Sequence, residues 1–291
     1  AKIGLVELPL ALMNPGDLLL LPDPGYPDYL SGVSLGRVTY ETFPLTAEND
    51  FLPDLDAIPE ETARRAKFIY INYPNNPTGA VATKAFYEKL VAWAKTYEVG
   101  VVSDLAYGAL GYQGYENPSF LSTPGAKDVG IEFYTFSKTF NMAGWRLAFA
   151  AGNDQMIEAL NLIQDHLFVG IFPALQEAGI AALLDPKSEE AVAQLNATYD
   201  SRRDAFVQAA AKIGWQAFPS RGSFYAWMPV PEGYTSESFA DLLLEKAHVA
   251  VAPGKGFGLA GDAYVRIGLL VEPERLVEAV NRIANLHLFN N

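Results

Sequence analysis

The residues best suited to chemistry lie in Tyr134-Thr135-Phe136-Ser137-Lys138-Thr139-Phe140-Asn141-Met142-Ala143-Gly144-Trp145-Arg146. Lys138 directly follows an apolar, strand-like run. Thr135 and Ser137 put hydroxyls at its third and first preceding positions, and Arg146 follows eight residues on. Donors of three kinds at one strand end can hold a phosphate while the amine stays free to attack a carbonyl. An amine beside cations in a partly dry pocket has a lowered pKa, as a Schiff-base lysine needs. Read alone, Lys138 is a solvated surface residue, because lysine is rarely buried.

Other strand ends change that balance, since open α/β sheets bind ligands outside the carboxyl ends of their strands. Pro22-Asp23-Pro24-Gly25-Tyr26-Pro27, Asn75-Asn76-Pro77-Thr78-Gly79 and Asp104-Leu105-Ala106-Tyr107 all sit at such ends. Singly, Asn-Pro-Thr-Gly is a turn signal and Asp104 a helix N-cap. As a set they are harder to dismiss.

The elements that must position these residues follow from the apolar pattern. Short apolar or β-branched runs alternate with amphipathic stretches, the mark of βα units around a mostly parallel sheet. The pattern predicts strands at 17–21 (ended by Pro22, Pro24 and Pro27), 68–72, 99–103, 133–136 and 147–151. Helices are predicted at 83–97, where Phe86, Leu90, Val91 and Ala94 fall near helical spacing, and at 154–167. Near Asp185 and Pro186 the pattern changes. A long helix is expected over 188–213, capped by Ser188 with Glu189 and Glu190 in its first turn. Strands at 223–228 and 264–270 and helices at 236–246 and 272–286 complete a smaller α+β unit. The expected division is a large domain at 1–187 and a small one at 188–291, with no Gly/Ser linker and no solenoid repeat. A chain of 291 residues agrees with about two domains.

Composition removes several function classes. Half the residues are apolar and 19% charged, which excludes disorder and low-complexity repeats. With no cysteine there is no disulfide, no Cys-ligated metal and no thiolate nucleophile, so covalent chemistry must come from Ser, Thr, Lys, Asp or a cofactor. A formal charge of −13 argues against nucleic acid, which needs a basic stripe. The apolar runs at 18–21 and 147–151 are far shorter than a membrane span, and the N-terminus lacks the order of a signal peptide, so a cytoplasmic protein is expected. Gly254-Lys255-Gly256-Phe257-Gly258 does not join a strand to a helix within a βαβ unit and fails as a dinucleotide loop. His166, His248 and His287 lack metal-ligand spacing, and the Asn196-Ala197-Thr198 triplet falls in a predicted helix.

The spaced set Tyr26, Asn76, Asp104, Tyr107, Lys138, Arg146 and Arg266 resembles, in order and motif, the fold-type I pyridoxal-phosphate-dependent aminotransferases of class I/II. The likeness covers essentially the whole chain and is nearest the branch of LL-diaminopimelate, aspartate and aromatic aminotransferases. It implies a mostly parallel central sheet with helices on both faces plus a smaller C-terminal α+β domain. It implies pyridoxal 5′-phosphate as cofactor and ping-pong transfer of an α-amino group between an amino acid and a 2-oxo acid. Lys138 would form the internal aldimine and shuttle the proton, and Asp104 would pair with the pyridinium nitrogen to strengthen the electron sink. Asn76 and Tyr107 would hydrogen-bond the phenolic oxygen, and Tyr26 would stack on the ring. Thr135, where the family usually has Ser, would bind the phosphate with Ser137 and Arg146. Ala1 and Lys2 match the end of a segment whose amides meet the phosphate at a helix N-terminus. Lys2 is also a candidate for contact with an acidic substrate side chain. Arg266, in Tyr264-Val265-Arg266-Ile267-Gly268, would grip the substrate α-carboxylate; without the resemblance it reads as a solvated strand arginine.

The same machinery serves a β-lyase, and the fold also serves as the ligand-sensing domain of a transcription regulator; both stand as alternatives. The resemblance implies a homodimer with active sites at its interface. It also implies about a hundred further residues before Ala1, a count beyond what domain-size priors indicate. The expectation is therefore of an N-terminally truncated chain that folds its large-domain sheet but binds cofactor weakly or not at all.

Overall fold

In the computed structural model, which describes residues 1–289, the fold is organised by strands buried on both faces. The last two residues of the expected small domain, 290 and 291, lie outside the described residues. After α1 (Lys2–Leu12) comes β1 (Leu18–Asp23), whose four leucines are all buried. The chain continues through α2 (Tyr29–Gly36), β2 (Thr39–Pro44), α3 (Glu60–Arg65), β3 (Ala66–Asn72), α4 (Lys84–Tyr97), β4 (Gly100–Asp104), α5 (Ala126–Val129), β5 (Gly130–Thr135), α6 (Phe136–Thr139) and β6 (Ala148–Gly152). The sheet order is β2-β1-β3-β4-β5-β6, parallel from β2 to β5 with β6 antiparallel at the edge.

Alternate residues of these strands enter opposite cores, as a period of two requires. Leu18, Leu20, Ile69, Ile71 and Val101 pack with Phe86, Leu90 and Val91 of α4. Leu19, Leu21, Phe68, Tyr70 and Val102 face Leu5 and Leu8 of α1, Val33 of α2 and Leu160 of α7 (Asp154–Leu167). Each such fully buried side chain contributes about 1.5–3 kcal/mol, so both faces of the sheet are held by helices. α1 and α2 cross closely because Gly32 and Gly36 carry no side chain. A Cβ on Gly32 would lie 3.0 Å from the Val6 carbonyl, and one on Gly36 3.0 Å from Pro9 Cβ.

After α8 (Pro173–Leu184), α9 (Ser188–Lys212) spans two clusters. Its Tyr199 packs with Tyr107 and Phe224. Its Phe206 and Ala210 join Trp215, Phe239, Val265 and Val280 in a second core. That core is built on β7 (Tyr225–Pro229), α10 (Ser236–Leu242), β8 (Ala252–Pro253), β9 (Tyr264–Gly268) and α11 (Pro273–Ala284), with the strands antiparallel in the order β7-β9-β8. Two hydrogen bonds tie the β1 end to the loops before β9: Gly25 N donates to the Phe257 carbonyl at 2.7 Å, and Ala260 N to the Asp23 side-chain Oδ1 at 3.0 Å.

Several local expectations need correction. β1 runs through Pro22 to Asp23: its pairing with β3 ends at Leu20, so Pro22 sits where the strand is paired on the β2 side alone, an edge-like position that tolerates proline. β5 stops at Thr135, whose hydroxyl accepts from Ser137 N at 3.2 Å and so starts α6 one residue early. Ser188 does not cap α9: Lys187 occupies the cap position, and the Ser188 hydroxyl donates to the Ala182 carbonyl of α8 at 2.6 Å. Past Leu242 the expected helix continues as a π-helical turn, Leu243–Ala247. β2, α2, α3 and α8 carry no sequence prediction: β2 buries only Phe43, α2 contains Gly and Ser, α3 is one short charged turn, and α8 is apolar but for the adjacent Gln176 and Glu177.

Candidate active site

The carboxyl ends of β1, β3, β4 and β5 open on one cavity of about 380 Å³. The β3 end is organised by asparagines. Asn72 donates from Nδ2 to the Asp104 carbonyl at 2.7 Å and accepts from Asn76 N at 2.8 Å, joining two strand ends and the loop between. Asn75 Oδ1 accepts from both the amide (3.0 Å) and the hydroxyl (2.8 Å) of Thr78, closing the turn. Gly79 holds that turn at φ +73, which only glycine adopts without strain. The loop thus presents Asn76 rigidly, and its Oδ1 accepts from Arg266 Nη1 at 2.7 Å.

Arg266 reaches the cavity from β9. Its guanidinium lies 4.1 Å from the Tyr225 ring centroid and 4.6 Å from that of Phe257, so the planar fork is held between aromatic faces with donors to spare. Tyr107, after β4, is buried and donates a long 3.5 Å bond to the Tyr225 hydroxyl. Lys138, in α6, lies half-buried with its Nζ 5.1 Å from the Phe224 ring centroid.

The electrostatics suit an amine nucleophile and a carboxylate partner. Burial first, then the positive charges of Arg146 and Arg266, lower the Lys138 pKa, so a larger fraction of its amine is neutral near pH 7. Asp104 is 5% exposed, and burial pushes its carboxyl up to about 6 against the pull of Tyr29, whose hydroxyl donates to Oδ2 at 2.9 Å. Its other oxygen, Oδ1, has no hydrogen-bond partner. Tyr26 lines the opposite wall, its hydroxyl raised to about 12 chiefly by burial. At the far end lie the N-terminus of α1, with no side-chain cap and no acidic residue in its first turn, and Thr135, Ser137 and Arg146. Arg146 is exposed, with Nη1 donating to the Ala143 carbonyl at 2.7 Å.

Every position singled out from the sequence lines this cavity: Ala1, Lys2, Tyr26 and Asn76, then Asp104, Tyr107 and Thr135, then Ser137, Lys138, Arg146 and Arg266. Asp104 begins no helix, so the capping alternative falls. Lys2 is tied to Asp28 at 2.6 Å, with its ammonium 5.7 Å from the Tyr26 ring centroid. The sequence missed Asn72, Tyr29 and Tyr225. Tyr29 lies three residues after Tyr26, and Tyr225 sits in a predicted strand; nothing local marks the first as reaching Asp104 from behind or the second as facing the cavity. Among the described residues no cluster of three His, Cys, Asp or Glu side chains could hold a metal. No helix there is long and apolar enough to cross a membrane.

The family description "Aminotransferase class I and II" matches residues 2–283. The chain belongs to this family. The aminotransferase is 58% identical over 288 residues to L-glutamine–4-(methylsulfanyl)-2-oxobutanoate aminotransferase of Bacillus subtilis (strain 168), a match covering 99% of this chain and 72% of that protein. It is 48% identical to an LL-diaminopimelate aminotransferase of Moorella thermoacetica, over 97% of this chain and 72% of the relative. Among solved structures, substrate-bound BacF of Bacillus subtilis superposes with a TM-score of 0.94 at 46% identity, covering 99% of this chain and 73% of that one. The enzyme therefore moves an amino group between an amino acid and a 2-oxo acid on a fold-type I scaffold. The relatives favour this over the β-lyase and the ligand-sensing domain.

Aminotransferases of this class are generally pyridoxal-phosphate-dependent, and the residues present suit that group. Asp104 Oδ1 is a buried acceptor without a donor, as a protonated ring nitrogen requires. Asn76 spends Oδ1 on Arg266, which leaves its Nδ2 donor for a phenolic oxygen. The uncapped α1 N-terminus and Arg146 suit a phosphate.

Proposed function

We propose that this aminotransferase holds pyridoxal 5′-phosphate in the cavity at the strand ends, with Lys138 as its covalent anchor. One observation carries the assignment: Lys138, the unpartnered Asp104 Oδ1 and the Asn76–Arg266 pair converge on one cavity. The cofactor, when bound, supplies an electron sink for the bond pair released at the substrate Cα. Asp104 Oδ1 accepts a hydrogen bond from the ring nitrogen and favours its protonated form. Asn76 Nδ2 donates to the phenolic oxygen, the Tyr107 hydroxyl does so in exchange for its long bond to Tyr225, and the Tyr26 ring covers one face. Thr135, Ser137, Arg146 and the backbone at Ala1 and Lys2 hold the phosphate. Arg266 binds the substrate α-carboxylate with the donors that Asn76 leaves free. Lys138 Nζ takes and returns the proton at Cα, a task suited to its lowered proton affinity.

The substrate pair of the 58% identical relative makes glutamine and 4-(methylsulfanyl)-2-oxobutanoate the first pair to test. Neutralisation of Lys2 by Asp28 agrees with neutral side chains at that wall. The division into a large domain at 1–187 and a small one at 188–291 is supported by a distinct second core around Phe206, Trp215, Phe239 and Val265, while Trp227 and the Tyr107–Tyr199–Phe224 cluster join the two units. A homodimer is supported by exposed apolar side chains on α7, α8 and the turn between, including Leu162 (60%), Val169 (86%), Phe172 (70%) and Leu184 (76%). A cytoplasmic location belongs to the same reading, checked by cell fractionation.

The test is reconstitution with pyridoxal phosphate. A band at the edge of the visible is expected, absent in Lys138→Ala, with conversion of the oxo acid when glutamine is supplied. Neither band nor turnover with any amino donor would sink the assignment. Light scattering that gives a monomer would remove the dimer.

A further inference from the structure

Asp104 offers two oxygens, yet only one is open. The Tyr29 hydroxyl donates to Oδ2 at 2.9 Å, and Oδ1 has no partner. Tyr29 is 2% exposed, and its ring is fixed edge-on by Tyr26 (centroids 5.5 Å, 84°) and Tyr70 (5.1 Å, 81°). Its backbone N donates to the Tyr26 carbonyl at 3.2 Å, so one helical turn delivers both the ring that lines the cavity and the hydroxyl behind the carboxylate. No neighbour can substitute: the Tyr70 hydroxyl is already committed to the Leu5 carbonyl at 2.9 Å. Asn72 holds the Asp104 backbone carbonyl, not its carboxylate.

We propose that Tyr29 is a positioning residue for the reaction: its hydroxyl holds Asp104 Oδ2 so that Oδ1 alone meets the cofactor's ring nitrogen, and it keeps the buried carboxylate ionised. This deepens the assignment above and rests on it. A hydrogen bond to the charged form of a carboxylate favours that form, while burial disfavours it. Without the Tyr29 donor, burial loses its largest opposing contribution, with the Ala106 backbone N–H still acting on the carboxylate, and the carboxyl is free to rotate. The other ionisable side chains facing Asp104 are the Tyr70 and Tyr107 hydroxyls. Both stay neutral across the range in which Asp104 titrates and are common to wild type and variant, so a difference between the two isolates Tyr29.

Tyr29→Phe keeps the ring and its packing, and unchanged far- and near-ultraviolet circular dichroism spectra certify its fold. The first measurement is the titration of Asp104 in the cofactor-free chain, followed by carbonyl carbon NMR and assigned with Asp104→Asn. The midpoint is expected to rise by about one pH unit, ~1.4 kcal/mol. The second is pyridoxal phosphate affinity, expected to fall about tenfold in Tyr29→Phe and by less than about twofold when the same change is made in Asp104→Asn. An unmoved midpoint overturns the proposal. So does an equal loss of affinity in both backgrounds, which marks Tyr29 as packing alone. Because the titration needs no cofactor, failure of the aminotransferase chemistry would leave its outcome readable.

Discussion

Replacing Arg266 with lysine keeps the charge and removes the fork. In the structure the guanidinium donates to Asn76 Oδ1 at 2.7 Å and lies 4.1 Å and 4.6 Å from the centroids of Tyr225 and Phe257. A lysine ammonium cannot hold Asn76 and also present a planar pair of donors to a carboxylate. Loss of one charge-assisted hydrogen bond costs about 1.5–3 kcal/mol. Weaker contact with the aromatic faces adds about 0.5–1 kcal/mol. Together these predict a fall in kcat/KM of about 30- to 900-fold at 1.36 kcal/mol per decade. Steady-state kinetics on an amino acid and on the amine that lacks its α-carboxylate separates recognition from general damage. The amino acid should lose its advantage over the amine, while the cofactor band stays intact. Equal losses for both compounds, or a loss under about threefold for the amino acid, would refute the role of Arg266 in carboxylate binding.

Other expectations concern the supports of the site. Asp104 has a folded value of about 6 against an ordinary 3.8, so the folded state binds more protons between them. Its stabilising contribution is complete below about pH 4 and is lost as pH rises through about 6, leaving a cost on the order of 3 kcal/mol at pH 7 in the cofactor-free chain. Asp104→Asn should therefore raise urea stability at pH 7 and flatten its dependence between pH 4 and 6, while abolishing turnover; a less stable variant at pH 7 would count against this. Gly79→Ala should destabilise by about 1–3 kcal/mol and lower activity through Asn76, because its φ is +73 and a Cβ would collide with Ser220 Oγ. Wild-type midpoints and rates would disprove it. Glu132, buried in β5, accepts from Ser103 Oγ at 2.9 Å and Phe120 N at 2.8 Å, as well as from Ser119 Oγ. Glu132→Ala strands these donors and should cost about 2–4 kcal/mol, read by urea unfolding, with cofactor affinity unchanged; an unaltered midpoint would contradict it.

Local pattern made much of the fold legible. The 154–167 helix is found at its predicted bounds, and the 83–97 helix starts one residue later only because Thr83 is its cap, accepting from Phe86 N at 3.1 Å. These segments carry their own signal in apolar spacing and capping chemistry. β2 and α8 do not, since an edge strand with one buried residue and a helix whose only polar side chains are the adjacent Gln176 and Glu177 show no stripe to read.

The site divides along the same line. Residue types at short spacing were enough to nominate Lys138 with Thr135, Ser137 and Arg146, because a strand end and the turn after it are local objects. Only the tertiary structure decided that Tyr29 meets Asp104 across 75 positions, that Tyr107 meets Tyr225 across 118, and that Arg266 meets Asn76 across 190. Those contacts depend on strand order, register and the crossing of packed helices, and a shift of one residue in any strand would turn its side chain to the opposite face. The sequence supplies the functional groups; which oxygen of Asp104 stays open, and which donors Arg266 keeps for a substrate, exist only once the strand ends meet.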